Sequence, residues 1–283
     1  MKKSLFSIVL SAVFFLALAF TACNRSTKEI QPDASASKQN VRNNKSGNSP
    51  LHQLTYHRIG NIHNALLNRM TTTYDFTVNH TTNSATANAV ATNVCNSIQT
   101  LEGWGCNELP VSVGTVLTEI LDANYQNNVV AGWDNYTNQI LPLLTQREQN
   151  LVNQARLVLF ANFDNKTRSQ IAQTIQQGAD ALIAVHASTN WNQNEGNFSG
   201  GLLQIMRSSA IYWENPNLDL PGEGGLEVEG IWITVAIDAV GFAAGFLNNW
   251  WTAGELNGWS ATGSGLIIGA AASCIRYIGL PKK

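Results

Sequence analysis

From about residue 84 onward, apolar residues along the chain return with the period of an α-helix rather than that of a strand. Ala89, Val90, Val94, Ile98 and Leu101 fall on one helical face, and Val113, Val116, Leu117, Ile120 and Leu121 on another. Thr145-Gln146-Arg147-Glu148 and Thr167-Arg168-Ser169-Gln170 have the form of capping boxes. The first opens a helix carrying Leu151, Val152, Ala155, Val158 and Leu159. The second opens one carrying Ile171, Ile175, Ala179, Leu182, Ile183 and His186. Pro142 ends the helix ahead of the first box, and Asn162-Phe163-Asp164-Asn165 separates the two. Trp191 to Gly201 reads as a polar, glycine-bearing loop. Leu202, Leu203, Ile205, Met206, Ala210 and Trp213 then form a further amphipathic set, stopped by Asn215-Pro216. Pro221-Gly222-Glu223-Gly224-Gly225 reads as a linker. Strand-like alternation is confined to one candidate, Tyr74-Asp75-Phe76-Thr77-Val78. The pattern predicts an all-α fold, a multi-helix bundle ending in a glycine-rich apolar helical hairpin.

That hairpin is the least ordinary part of the pattern. Ile231 to Leu247 and Gly265 to Ile278 are apolar on all sides and predict two helices joined through Asn248 to Trp259. Each carries glycines four residues apart, Gly241 with Gly245 and Gly265 with Gly269, which form a groove where helix backbones can approach closely. Antiparallel neighbours keep a constant index sum. Gly241 with Gly269 and Gly245 with Gly265 both give 510, so the two grooves are expected to meet. Asp238 and Arg276, the only charges in the two runs, sum to 514 and are expected to pair one turn away. A carboxylate in an apolar helix needs such a partner. Helices apolar all round either form the centre of a domain or enter a bilayer, and Trp232, Trp250, Trp251 and Trp259 would suit the interfaces of the second case.

Composition adds a compartment. The first residues run Met1-Lys2-Lys3, then an uncharged apolar stretch from Leu5 to Phe20, then Thr21-Ala22-Cys23. A short basic start and an apolar run too short for a stable span predict a signal peptide over 1–22. The small residues before Cys23 resemble the lipobox of bacterial lipoproteins, although Phe20 stands where that pattern prefers Leu. The resemblance implies that Cys23 is diacylated and becomes the new N-terminus, with enough acyl chains for stable anchoring. By the enterobacterial sorting rule, Asn24 after that cysteine favours the outer membrane. Residues 24–50 are polar, with few large apolar side chains, and predict that 23–50 is a disordered tether. They hold five Lys/Arg and two Asp/Glu, whereas 51–283 hold ten and seventeen, a net of −7. A body this acidic, without a basic cluster, argues against nucleic acid as a partner. The resulting division is signal 1–22, tether 23–50, helical body 51–225, and hairpin 226–283, packed on the body or membrane-active.

Little here suggests chemistry. Cys95 and Cys106 are candidates for a local disulfide in an oxidising compartment. Such a loop would stabilise by about 2–3 kcal/mol in the chain-entropy view. Cys274 reads as a small buried hydrophobe. No metalloprotease, nucleophile-elbow, phosphate-loop or dinucleotide motif is present, and no catalytic residue, metal site or cofactor is assigned. His52, His57 and His63 read as surface polar residues, His186 as a helix C-terminal residue, and Glu223, Glu227 and Glu229 as a solvated acidic cluster. Trp104, Trp133, Trp191 and Trp213 read as core, with a carbohydrate-stacking surface as the alternative. The signal and tether resemble those of exported lipoproteins of Bacteroidota-type bacteria. The expectation is a cell-envelope lipoprotein with a non-enzymatic structural or binding role. Its partners would be the membrane, through Cys23, and an envelope protein or glycan. Because the hairpin resembles bacteriocin and colicin C-termini, the alternative is a membrane-active antibacterial effector.

Overall fold

The computed structural model describes residues 54–73, 84–125, 128–192, 195–215, 227–254 and 258–279, all within one unit spanning 46–283. The signal, Cys23, the tether, the strand candidate Tyr74–Val78 and the Pro221–Gly225 linker lie outside the described residues. Among the described residues the regular structure is nine α-helices and two 3-10 turns, with no strand. In chain order the helices are α1 (Tyr56–Thr73), α2 (Ser84–Glu102), α3 (Val113–Asp122), α4 (Val129–Ile140), α5 (Gln146–Leu159), α6 (Arg168–Ser188), α7 (Asn197–Glu214), α8 (Glu227–Ala253) and α9 (Trp259–Gly279). The fold is all-α.

Local chemistry sets the boundaries. Ser112 caps α3 and Asn128 caps α4, each side chain accepting from a backbone N–H three residues on. The boxes at α5 and α6 are both closed. Glu148 N donates to Thr145 Oγ1 and Thr145 N to Glu148 Oε2, while Thr167 N donates to Gln170 Oε1 at 2.8 Å. Pro142 lies in the 3-10 turn Leu141–Leu143, directly after the end of α4. Two helices are longer than their apolar runs. α8 continues past its apolar run to Ala253, and there the side chains of Asn248 and Thr252 donate back to Ala244 O at 3.1 Å and Asn248 O at 2.8 Å. It stops at Gly254, whose φ of +71° is the left-handed terminator that glycine tolerates. α7 begins at Asn197, inside the stretch that reads as loop. Gly200 and Gly201 weaken its helical signature, but they are packing positions: a Cβ at Gly201 would lie 2.4 Å from Phe242 Cζ and 3.0 Å from Ile59 Cδ1.

The hairpin of α8 and α9 is the centre of this unit. Every residue from Thr234 to Leu247 and from Ser260 to Ile275 is buried. α8 is flanked by α3, α4, α5, α6 and α7, and α9 by α1, α2, α3 and α7, so every other helix touches the pair. These outer helices are amphipathic and turn their apolar faces inward: Ile59, Leu66, Leu67 and Met70 of α1, Val90, Val94 and Ile98 of α2, and Ile171, Ile175 and Ala179 of α6 are all buried. The described helices of 51–225 and the hairpin thus share one core, with the hairpin supplying the surface on which the others pack.

Glycines fix how closely the two central helices meet. A Cβ on Gly241 would lie 2.8 Å from Gly269 Cα and Ile268 O, and one on Gly245 would lie 2.5 Å from Ser264 O and 2.7 Å from Gly265 Cα. Gly269 in turn faces Asp238 O at 2.8 Å. The pairs are 241 with 269 and 245 with 265, the register of index sum 510. Because the obstacles are backbone atoms, they cannot rotate away. Gly230, in the same helix, has nothing within 4 Å of an added Cβ. These two positions give a matched test by urea denaturation. Gly245→Ala is expected to lose about 1–3 kcal/mol despite its better helix propensity. Gly230→Ala is expected to be neutral or to gain up to about 1 kcal/mol. Equal effects at the two sites would contradict the close seam.

Candidate functional site

Two buried polar clusters stand out within the helical frame. The first surrounds Asp238, which lies fully buried in the middle of the central hairpin. α7 lies along α8 and brings two donors to it: Ser209 Oγ donates to Asp238 Oδ2 at 2.5 Å and Trp213 Nε1 donates to the same oxygen at 3.2 Å. α1 brings His63, also fully buried, with Nε2 3.3 Å from Oδ1. That contact is not a directed hydrogen bond, because neither atom meets hydrogen-bond geometry. His63 Nδ1 faces Asn64 Oδ1 at 3.2 Å.

Serine, aspartate and histidine together invite a catalytic reading, and the geometry speaks against it. The carboxylate sits between the other two, so the hydroxyl is held by Asp238 and not by His63. A nucleophile needs the base on its own oxygen and a route for substrate. Here Ser209, Asp238 and His63 are all fully buried. The cluster is a polar clasp that ties α1 and α7 to the central hairpin.

The sequence expectation placed Arg276 opposite Asp238. The groups that reach the carboxylate oxygens are instead His63, Ser209 and Trp213, while Arg276 is half-buried toward the C-terminal end of α9. An index sum fixes which turns of two helices face each other, but it cannot see a third helix that arrives first. His63 needs a second correction, from surface to core. It lies four residues after Ile59 and three and four before Leu66 and Leu67, within the apolar stripe of α1, and this spacing could have revealed it.

The second cluster surrounds Gly196, at the N-cap of α7, whose φ of +82° suits glycine. Glu148, in the capping box of α5, is buried, and its free carboxylate oxygen Oε1 accepts from Gly196 N at 2.8 Å. His186, buried near the end of α6, donates from Nε2 to Gly196 O at 2.7 Å. Both peptide groups of one residue are thus held by ionisable side chains from different helices. Trp191 completes the cluster. Its Nε1 donates to His186 O at 2.9 Å, and its ring lies 4.8 Å from the His186 ring, tilted by 35°. Tyr56 meets the same imidazole edge-on at 4.7 Å. Burial pushes the Glu148 carboxyl above its usual range, against the pull of the Gly196 and Thr145 hydrogen bonds. Burial pushes His186 below its usual range, opposed by the bond to Gly196. A groove of about 530 Å³ opens beside Trp191, lined by residues of α5 and the end of α6.

The remaining expected residues are placed as follows. Cys95 and Cys106 form a disulfide with a Cα–Cα distance of 5.3 Å, joining α2 to the 3-10 turn after it, and Gly103 (φ +76°) reverses the chain between them. Cys274 is a buried free thiol. His57 is exposed, His52 and Glu223 lie outside the described residues, and Glu227 and Glu229 fall in the first turn of α8. Trp104, Trp133 and Trp213 are core, whereas Trp191 is only partly buried and Trp251 is exposed. Among the described residues, no three His, Cys, Asp or Glu side chains gather as a metal site. Comparison with known protein families, with curated proteins and with solved structures returns no match.

Two outcomes follow. Asp238→Ala strands a hydroxyl and an indole N–H in the core and is expected to cost about 2–4 kcal/mol in urea denaturation. A cost under about 1 kcal/mol would mean the clasp is idle. For His186, the depressed folded pKa means the unfolded chain takes up protons first. Its contribution is therefore whole above the ordinary histidine pKa of 6.5 and is lost as pH falls from there toward the folded value. Stability measured from pH 7.5 to 5 is expected to fall less steeply in His186→Gln than in wild type.

Proposed function

We propose that the protein is a lipid-anchored protein of the cell envelope, attached through Cys23, whose helical body has a non-enzymatic structural or binding role. The observation that carries this reading is the enclosure of the α8–α9 hairpin. The most apolar segment of the body is committed to its own core, with the outer helices folded onto it. Membrane attachment is then left to the lipobox-like Cys23, for which an acylated cysteine and a polar tether suffice. Asn24 favours the outer membrane as the destination. Metabolic labelling with palmitate, followed by membrane fractionation, tests the anchor. Wild type is expected to carry label and to sediment with membranes, and Cys23→Ala to lose both. Unlabelled wild type would refute the anchor.

A second reading has one observation in its favour. Gly230–Ala253 is long and apolar enough to cross a bilayer, which suits a membrane-active, bacteriocin- or colicin-like effector. Against it, 83% of that segment's apolar window is already buried in the fold. Insertion would have to break the Asp238 clasp and expose the apolar faces of the outer helices. Dye-loaded anionic vesicles separate the two readings. The purified full chain is expected to release no dye between about pH 3.5 and about pH 7.5, settings that bracket carboxylate and histidine titration at about 4 to 6.5. Release that depends on the hairpin would favour the effector.

A further inference from the structure

We propose that the groove beside Trp191 binds a neutral glycan, stacked on the indole and hydrogen-bonded by side chains of α5 and the end of α6. The inference rests on the binding role proposed above and gives it a ligand class. It starts from how Trp191 is held. The Trp191 loop follows α6, yet its far end at Gly196 is fastened on both sides of the peptide by Glu148 and His186, and the indole is bonded to His186 O. One side of the ring packs against His186 and Gly196, where a Cβ on Gly196 would come within 2.8 Å of the indole. Trp191, only partly buried, also lines the groove. Burying two ionisable groups to fix one partly exposed tryptophan is costly for a loop that merely connects helices. Fixing a recognition side chain in advance is what lowers the entropy cost of binding.

The lining selects the ligand. Around the indole stand Asn150, Gln154, Ser188, Thr189 and Asn190, all amides or hydroxyls. Asn150 Oδ1 accepts from Gln146 Nε2 at 3.2 Å, and the Ser188 and Thr189 hydroxyls donate to Val185 O at 2.9 and 2.8 Å, so each hydroxyl oxygen keeps acceptor capacity for a ligand. The only charged lining residue is Arg147, which donates to Asn190 O and has Glu195 within electrostatic reach. The aliphatic side chains in the lining are Leu151, which is buried, and Val185, which is exposed beside the indole. An aromatic face ringed by uncharged donors and acceptors matches a pyranose ring, which offers an axial C–H face and equatorial hydroxyls. A body of net charge −7 disfavours acidic polymers. The groove volume of about 530 Å³ lies in the range of small-ligand sites.

The test is titration of the purified full chain in detergent, followed by the indole N–H resonances in NMR. The probes are neutral tetrasaccharides of glucose, mannose, galactose and N-acetylglucosamine, with a tetragalacturonate as the acidic comparison. At least one neutral sugar is expected to shift the Trp191 indole signal with a dissociation constant of about 1 mM or tighter. Trp191→Ala is expected to weaken it by about tenfold or more, and Gln154→Ala by about threefold. Trp191→Phe, which keeps an aromatic face but loses the bond to His186 O, is expected to retain binding within about fivefold. That variant guards against a loop that has simply collapsed. No shift with any neutral sugar, binding unchanged by Trp191→Ala, or tighter binding of tetragalacturonate would each overturn the proposal. Palmitate labelling and sugar titration report independently, so loss of the anchor and loss of the glycan site can be told apart.

Discussion

The fold depends on one close approach, the contact of the α8 and α9 backbones across Gly241, Gly245, Gly265 and Gly269. Side chains normally hold helix axes 8–10 Å apart. Here an added Cβ at Gly241 or Gly245 would run into the main chain of the facing helix. Removing side chains at the seam lets two apolar helices act almost as one element. That element turns apolar surface outward in all directions, which no hairpin could do in water alone. The seven amphipathic helices around it solve the problem by covering it, and each buries its own stripe in doing so. The glycines thus set the spacing of the centre, and the centre sets where everything else can sit.

An all-apolar centre leaves helix positions weakly specified, since one apolar ridge can slide over another. Asp238 opposes that freedom. Its carboxylate sits where only one placement of α7 offers Ser209 and Trp213, and only one placement of α1 offers His63. Buried polar groups contribute little net stability, and their best-attested use is to fix register. The same logic operates at the surface, where Glu148 and His186 fix the backbone of Gly196 and with it Trp191. One clasp orders the interior and the other orders a loop. In both, the side chains come from helices distant in sequence.

That separation decides what could be read from the chain. The helices and their caps were legible because they are local. The Thr145 and Thr167 boxes, the Pro142 stop and the periodicity of α5 and α6 are all set within a few residues. The glycine seam was legible because a hairpin converts long-range pairing into an index sum. The start of α7 was missed because Gly200 and Gly201 look like loop residues until Phe242 and Ile59 are known to press on them. The partners of Asp238 were missed because His63, Ser209 and Trp213 belong to two other helices. His63 was nonetheless marked by its place on the stripe of α1. Of the Trp191 site, the sequence showed only an aromatic residue at the edge of a polar loop. Its support by Glu148 and His186 is tertiary.

The account makes the hairpin the last part of the body to come apart. Native-state hydrogen exchange in increasing urea tests this directly, because it reports the opening free energy and the surface exposed for each amide. Amides from Thr234 to Leu247 and from Ser260 to Ile275 are expected to exchange only through global unfolding, with the same denaturant dependence as the whole transition. Amides of the outer helices should open at equal or lower free energy. The account would be contradicted if the hairpin amides exchanged through a smaller, earlier opening while α5, α6 and α7 stayed protected, for then the outer helices would fold without the centre they are said to require.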